Sequence, residues 1–98
     1  MLIRSQNKKI LTNIGQVTDL GVKKFGEEFG IKAYYPFAID EDYSGEVIGE
    51  YSTEEKAIKV LDMIQQAYCK SFEEKKDNYV GHRYNLVFQM PKDEEVEE

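Results

Sequence analysis

The sequence predicts an α+β domain, an antiparallel sheet of about four to six short strands covered by one long helix. Three observations carry this. Apolar residues recur at steps of three and four over residues 52–76; they alternate at period two over 31–39 and again over 84–90; and short turns rich in glycine or polar residues join the remaining segments. Consecutive strands joined by short turns favour antiparallel pairing, with the helix on the apolar face.

Taken in order, residues 2–4 and 10–14 are short strand candidates separated by the polar turn 5–9. Residues 17–25 form a weaker strand, and 27–30 a turn between Gly26 and Gly30. In the next segment Ile31, Ala33, Tyr35, Phe37 and Ile39 alternate with Lys32, Tyr34, Pro36, Ala38 and Asp40, a strand with one strongly apolar face. Pro36 has no N–H to donate, which places an edge, a bulge or a break there. The turn 42–45 leads into a short strand over 46–51.

Ser52 then stands three residues before Glu55, the spacing of a capping box. Beyond it Ala57, Leu61, Ile64, Tyr68 and Phe72 line one side of a helix which, at 1.5 Å per residue, runs roughly 35 Å. A second apolar line of Ile58, Val60, Met63 and Ala67 widens the arc beyond one sheet contact and favours association of the chain with itself, as a dimer or higher closed oligomer. In the last strand, 84–90, Tyr84, Leu86, Phe88 and Met90 alternate with Asn85, Val87 and Gln89 before Pro91 stops it.

Ninety-eight residues make a single domain, assigned to 1–92, followed by an acidic tail at 93–98. With 41% hydrophobic and 12% aromatic residues the composition is globular. No apolar run is long enough to span a membrane, and the start carries no signal-peptide core, so the expected place is the cytoplasm of a host cell. The net charge is −6, but the tail supplies five of the negative charges, leaving thirteen basic against fourteen acidic side chains in the body. Residues 40–55 carry seven acidic side chains and no basic one, an acidic band in mid-chain. The tail is expected to be solvated and disordered, because a like-charge block with only Val96 has little to bury.

Few catalytic signatures are present. Cys69 and His82 are the only residues of their kinds, which excludes an intrachain disulfide and a Cys/His zinc spacing. The carboxylates Asp40, Glu41 and Asp42 sit in a turn where charge is ordinarily solvated, and they lack the EF-hand spacing. Neither a phosphate loop nor a dinucleotide fingerprint occurs. The reading is therefore a non-enzymatic protein with no cofactor and no metal.

The charge balance argues against direct nucleic-acid binding, although Lys8, Lys9, Lys23, Lys24 and Lys32 with Tyr34 could gather at one end of the sheet. The favoured reading is that the same lysines, on outer strand positions, blunt exposed edges. Chemistry for a small anionic ligand is densest over residues 79–85. Arg83 offers a planar fork for phosphate, Tyr79 or Tyr84 a ring for a base, and His82 and Asn85 polar groups for its edge, with Arg4 and Tyr34 or Tyr35 contributed by the sheet. The plainer reading makes that segment a loop into the last strand, with Tyr84 in the core and Arg83 paired to Glu73 or Glu74.

The opening Met1-Leu2-Ile3-Arg4-Ser5-Gln6 with Lys8-Lys9, the block from Gly49-Glu50-Tyr51-Ser52-Thr53-Glu54-Glu55 to Leu61-Asp62-Met63-Ile64-Gln65, and the closing Phe88-Gln89-Met90-Pro91-Lys92-Asp93-Glu94-Glu95 resemble those of small uncharacterised proteins of phages and prophages of low-GC Gram-positive bacteria. The likeness covers both ends and the helix, and leaves residues 17–45 unmatched. It implies a mobile-element origin and brings no catalytic residues with it. Many small phage proteins inhibit bacterial immunity, and by that analogy the first expectation is a homo-oligomer that sequesters a nucleotide-type immune signal through Arg83, His82, Tyr84, Asn85, Tyr79, Arg4 and Tyr34. Two alternatives stand beside it. One is a protein inhibitor of a host defence complex such as a CRISPR nuclease, docking through Asp40, Glu41, Asp42, Glu46 and Glu50; the other is an accessory phage protein with no ligand.

Overall fold

The computed structural model describes residues 1–36, 45–77 and 87–97, with helix side chains described as far as Lys70. Its strands are β1 (Leu2–Arg4), β2 (Leu11–Asn13), β3 (Asp19–Phe25), β4 (Glu28–Tyr34), β5 (Gly45–Tyr51) and β6 (Val87–Gln89), and its helix is α1 (Glu54–Asp77). The class is α+β, one long helix packed on strands, as the two periodicities predict. The strands divide into two three-stranded sheets, ordered β2-β1-β6 and β3-β4-β5. One pairing departs from the antiparallel expectation: β6 runs parallel to β1, Leu2 facing Val87 and Arg4 facing Gln89. A parallel neighbour requires a long crossover, and the excursion through the second sheet and the 24-residue helix supplies one.

The β3–β4 hairpin turns one position earlier than the sequence predicts. Gly26 takes φ +60 at the first central position, the requirement of a type II′ turn, and Glu28 and Phe29 already pair with Phe25 and Lys24. A bulge between Ile31 and Lys32 then adjusts the pairing to β5: Ile31 faces Gly49 and Lys32 faces Val47, leaving Ile48 as the extra residue, turned into the core. The strand ends at Tyr34, before Pro36; the apolar continuation through Phe37 and Ile39 lies outside the described residues. At the start of β5 a Cβ on Gly45 would run into the Ala33 carbonyl, so this close approach requires glycine. We expect Gly45→Ala to cost about 2 kcal/mol, read from urea unfolding, because backbone must move to admit the methyl; an unchanged midpoint would contradict the register.

The helix starts one residue later than a Ser52 cap would place it. Thr53 is the cap, its Oγ1 accepting from the Lys56 N–H at 3.2 Å and its carbonyl from Ala57 N–H. Ala57, Val60 and Ile64 are its buried residues, with Leu61 half-buried beside them. Val60 thus belongs to the core stripe, while Ile58 and Met63 remain 45% and 38% exposed on its two flanks. The core closes with Ile3, Ile31, Ala33, Ile48 and Tyr51 from the strands and Met90 and Val96 from the C-terminal segment.

That last residue corrects the expectation of a disordered tail. A short 3-10 helix over Asp93–Glu95 brings Val96 into the core at 5% exposure. The Asp93 carboxylate and the Glu97 backbone carbonyl are held by groups at and just before the start of the helix. Asp93 Oδ1 accepts from the Ser52 N–H at 2.8 Å and Ser52 Oγ at 3.1 Å, the Lys56 ammonium sits 3.5 Å from Asp93 Oδ2, and Lys59 donates to the Glu97 carbonyl at 2.7 Å. Ser52, read in the sequence as a cap, is instead the tail's anchor. The carboxylate also meets the positive end of the helix dipole. Like charges in the tail do not exclude order when the site they dock on is basic and one apolar residue fits the core.

Candidate ligand-binding face

Side chains of β3, β4 and β5 fall on two faces. Leu20 and Val22 stand opposite Ala33 and Ile31 on the face covered by α1. The other face carries three rows across the sheet: Asp19, Tyr34 and Gly45; Gly21, Lys32 and Val47; Lys23, Gly30 and Glu50. Two glycines let aromatic rings lie low on it. A Cβ on Gly21 would be 3.5 Å from the Tyr34 ring, and one on Gly30 would be 2.8 Å from that of Phe25, so the rings occupy the space above the glycine backbone.

Lys32 stands at the centre of this array. Its residue is 8% exposed, and its ammonium lies 5.3 Å from the Tyr34 ring centroid, where the ring's negative face attracts it. No carboxylate within ion-pair distance of it occurs among the described residues, where the ion pair is Lys56 with Asp93. Burying the methylene stem while the charged head stays at the surface is how lysine satisfies both halves of its side chain. The arrangement presents a cation held over an aromatic ring on the outer face of the sheet.

Next to this face, a cleft of about 270 Å3 lies between the β1–β2 turn and β5, lined by Ser5, Gln6, Asn7, Val47, Ile48, Gly49 and Glu50. The turn is internally bonded: Asn7 Oδ1 accepts from Ser5 Oγ at 2.7 Å and from the Lys9 N–H at 2.9 Å, and Lys8 takes φ 68. Gln6 fastens it to β5, donating its N–H to the Ile48 carbonyl at 2.8 Å and accepting at Oε1 from the Glu50 N–H at 2.9 Å. Val47 separates this cleft from Lys32, its cross-strand partner. At the far row Glu50 raises the Glu28 pKa above the ordinary carboxylate value, accepting a hydrogen bond from the protonated Glu28 carboxyl and repelling its charged form.

The sequence-predicted residues distribute as follows. Tyr34 and Lys32 come together, with Lys23 on the same face. Lys24 is on the opposite face, its ammonium 5.9 Å from the Phe29 ring centroid, and Lys8 and Lys9 stand on the β1–β2 turn, so the five lysines form no single patch. Arg4 is on β1 in the other sheet, between Leu11 and Gln89. Tyr79, His82, Arg83, Tyr84 and Asn85 lie outside the described residues, as do Asp40, Glu41 and Asp42. Of the acidic band, Glu46 faces Ala33 and Glu50 faces Gly30, which puts them on opposite sides of the sheet. Tyr35 Oη donates to Glu46 Oε2 at 3.4 Å.

Among the described residues no three His, Cys, Asp or Glu side chains are grouped to hold a metal ion, and no helix is long and apolar enough to cross a membrane. Gly21 and Gly30, the floor of the face, escaped the sequence reading because they resemble hairpin glycines until the strand register is known. Comparison with protein-family models, with curated proteins and with solved structures yields no match.

Proposed function

We propose that this chain is a non-catalytic binding protein that captures a nucleotide-type ligand on the outer face of the β3-β4-β5 sheet. In the mobile-element setting implied by its resemblance to phage proteins, such capture would withhold an immune signal from the host. The observation that carries the reading is the Lys32 ammonium poised 5.3 Å from the Tyr34 ring centroid above the Gly21 backbone. An ammonium held over a ring brings together a cationic and an aromatic contact, the two that a phosphate joined to a base requires. The cleft beyond Val47, lined by the polar side chains of Ser5, Gln6, Asn7 and Glu50, offers room for a sugar. Arg83, His82, Tyr84, Asn85, Tyr79 and Arg4 belong to the proposal as further contacts.

Calorimetric titration of the full chain with a panel of linear and cyclic nucleotides tests it. At least one should bind, and Tyr34→Ala should weaken that binding roughly tenfold or more, the usual size of a lost base–aromatic contact. Lys32→Met, which keeps the stem and removes the charge, should lower affinity and flatten its salt dependence. Binding unchanged in both variants would remove the face from consideration, and Arg83→Ala then asks whether the 79–85 segment acts alone.

A further inference from the structure

The two ends of the β3-β4-β5 sheet are treated differently. The outer edge of β5 is occupied by Gln6, through its bonds to Ile48 and Glu50, whereas β3 pairs with β4 on one side only among the described residues. β3 is also long for an edge, seven residues against three in β2 and in β6. Such an edge carries a row of backbone donors and acceptors ready for another strand. Along the same border runs an apolar groove of about 330 Å3, lined by Ile14 and Leu20 on the strand side and by Leu61, Ile64 and Tyr68 on the helix.

We propose that two copies of this chain join through β3, antiparallel, about a two-fold axis at Gly21. The sequence Asp19-Leu20-Gly21-Val22-Lys23 is self-complementary about that point. With the axis perpendicular to the sheet, each residue stays on its own face, so Asp19 of one copy meets Lys23 of the second, twice, on the outer face. On the inner face Leu20 meets Val22 of the second copy, again twice. Centring the axis on Val22 instead sets Asp19 against Phe25 and Leu20 against Lys24, pairs that match in neither charge nor polarity. Gly21 meets Gly21 at the axis, where neither backbone is held off by a side chain. The result is a six-stranded antiparallel sheet with both helices on one face, and the groove beside Leu20 is covered by the second copy.

This geometry deepens the ligand reading, on which one further consequence rests: because Tyr34 lies over Gly21, two Tyr34–Lys32 pairs would flank the axis on a single continuous face. The association itself is independent of any ligand and is tested without one. Sedimentation velocity of the full chain should give a dimer. Asp19→Lys and Lys23→Asp, both at exposed positions, should each weaken it about tenfold by setting like charges opposite one another at two places. The double variant, with both charges exchanged, should recover dimerisation. In a Cys69→Ser background, Gly21→Cys should form an interchain disulfide with oxidised glutathione, since facing residues on adjacent antiparallel strands are within disulfide reach. A monomer at all concentrations, a dimer indifferent to the charge reversals, or no disulfide at position 21 while the dimer persists would each overturn the proposal. Failure of nucleotide binding with the dimer intact would overturn the ligand reading alone.

Discussion

Removal of residues 93–98 is expected to destabilise the domain by about 3–5 kcal/mol, the sum of one buried aliphatic side chain and several charge-assisted hydrogen bonds. Chemical denaturation of the chain ending at Lys92 measures it. The loss has two parts that point variants separate. Val96→Asp puts a charge into the core site that Val96 fills and should account for the larger share. Asp93→Asn keeps the shape but weakens the clamp on Ser52 and Lys56.

The clamp also carries a pH signature. The Ser52 backbone N–H, the Ser52 hydroxyl and Lys56 hold the Asp93 carboxyl below its ordinary value of 3.8, overcoming the opposing effect of burial. A carboxyl depressed in the folded state stabilises fully above its unfolded value, and that contribution is lost as the pH falls through the folded one. The wild-type chain should therefore lose stability below about pH 4 more steeply than Asp93→Asn does. Equal acid sensitivity, together with an unaltered midpoint for the truncated chain, would mean that the tail does not dock.

What the sequence disclosed and what it concealed divide along a physical line. Local signals were legible: the 3.6-residue period of α1, the alternation over residues 31–34 of β4, the short strand β5, the polar turn between β1 and β2, and the end of β4 before Pro36. Signals that depend on a distant partner were not. Nothing in Val87-Phe88-Gln89 specifies that its neighbour will be β1, or that the pairing will be parallel. Val96 reads as a lone apolar residue in a charge block because the groups that receive the block, Ser52, Lys56 and Lys59, lie far away in sequence.

The candidate face repeats the lesson. Lys32 and Tyr34, two apart on one strand, necessarily share a side, so their partnership follows from period two alone. Lys23 and Lys24 are adjacent and must part, yet which of them joins Lys32 depends on the register that the Gly26 turn sets. A single patch of the five lysines, open as one reading of the sequence beside the favoured one of edge protection, gives way to a division between two faces and a distant turn.

Tyr51 ties the interior together, and its replacement provides the second large effect. It is 1% exposed, on the inner face opposite Phe29, and its hydroxyl donates to the Pro91 carbonyl at 2.8 Å. Burial, together with the nearby negative charges of Asp93 and Glu95, pushes its pKa well above the ordinary tyrosine value, so it remains a neutral donor throughout the working range. Tyr51→Ala should cost about 3–5 kcal/mol, as removal of a buried aromatic ring generally does. Tyr51→Phe retains the packing and removes one bond, leaving the Pro91 carbonyl with Gln6 Nε2 as donor at 3.2 Å, and should cost about 1 kcal/mol.

The comparison is informative because the same ring joins β5, the outer sheet strand, to the C-terminal segment that holds the tail. If Tyr51 couples the two, the chain ending at Lys92 should lose less on Tyr51→Phe than the full chain does, a non-additivity that a double-mutant cycle reads directly. Strict additivity would separate the docking of the tail from the Tyr51 hydroxyl, and would leave the Ser52–Asp93 clamp and the burial of Val96 to join the tail to the strands that carry the candidate face.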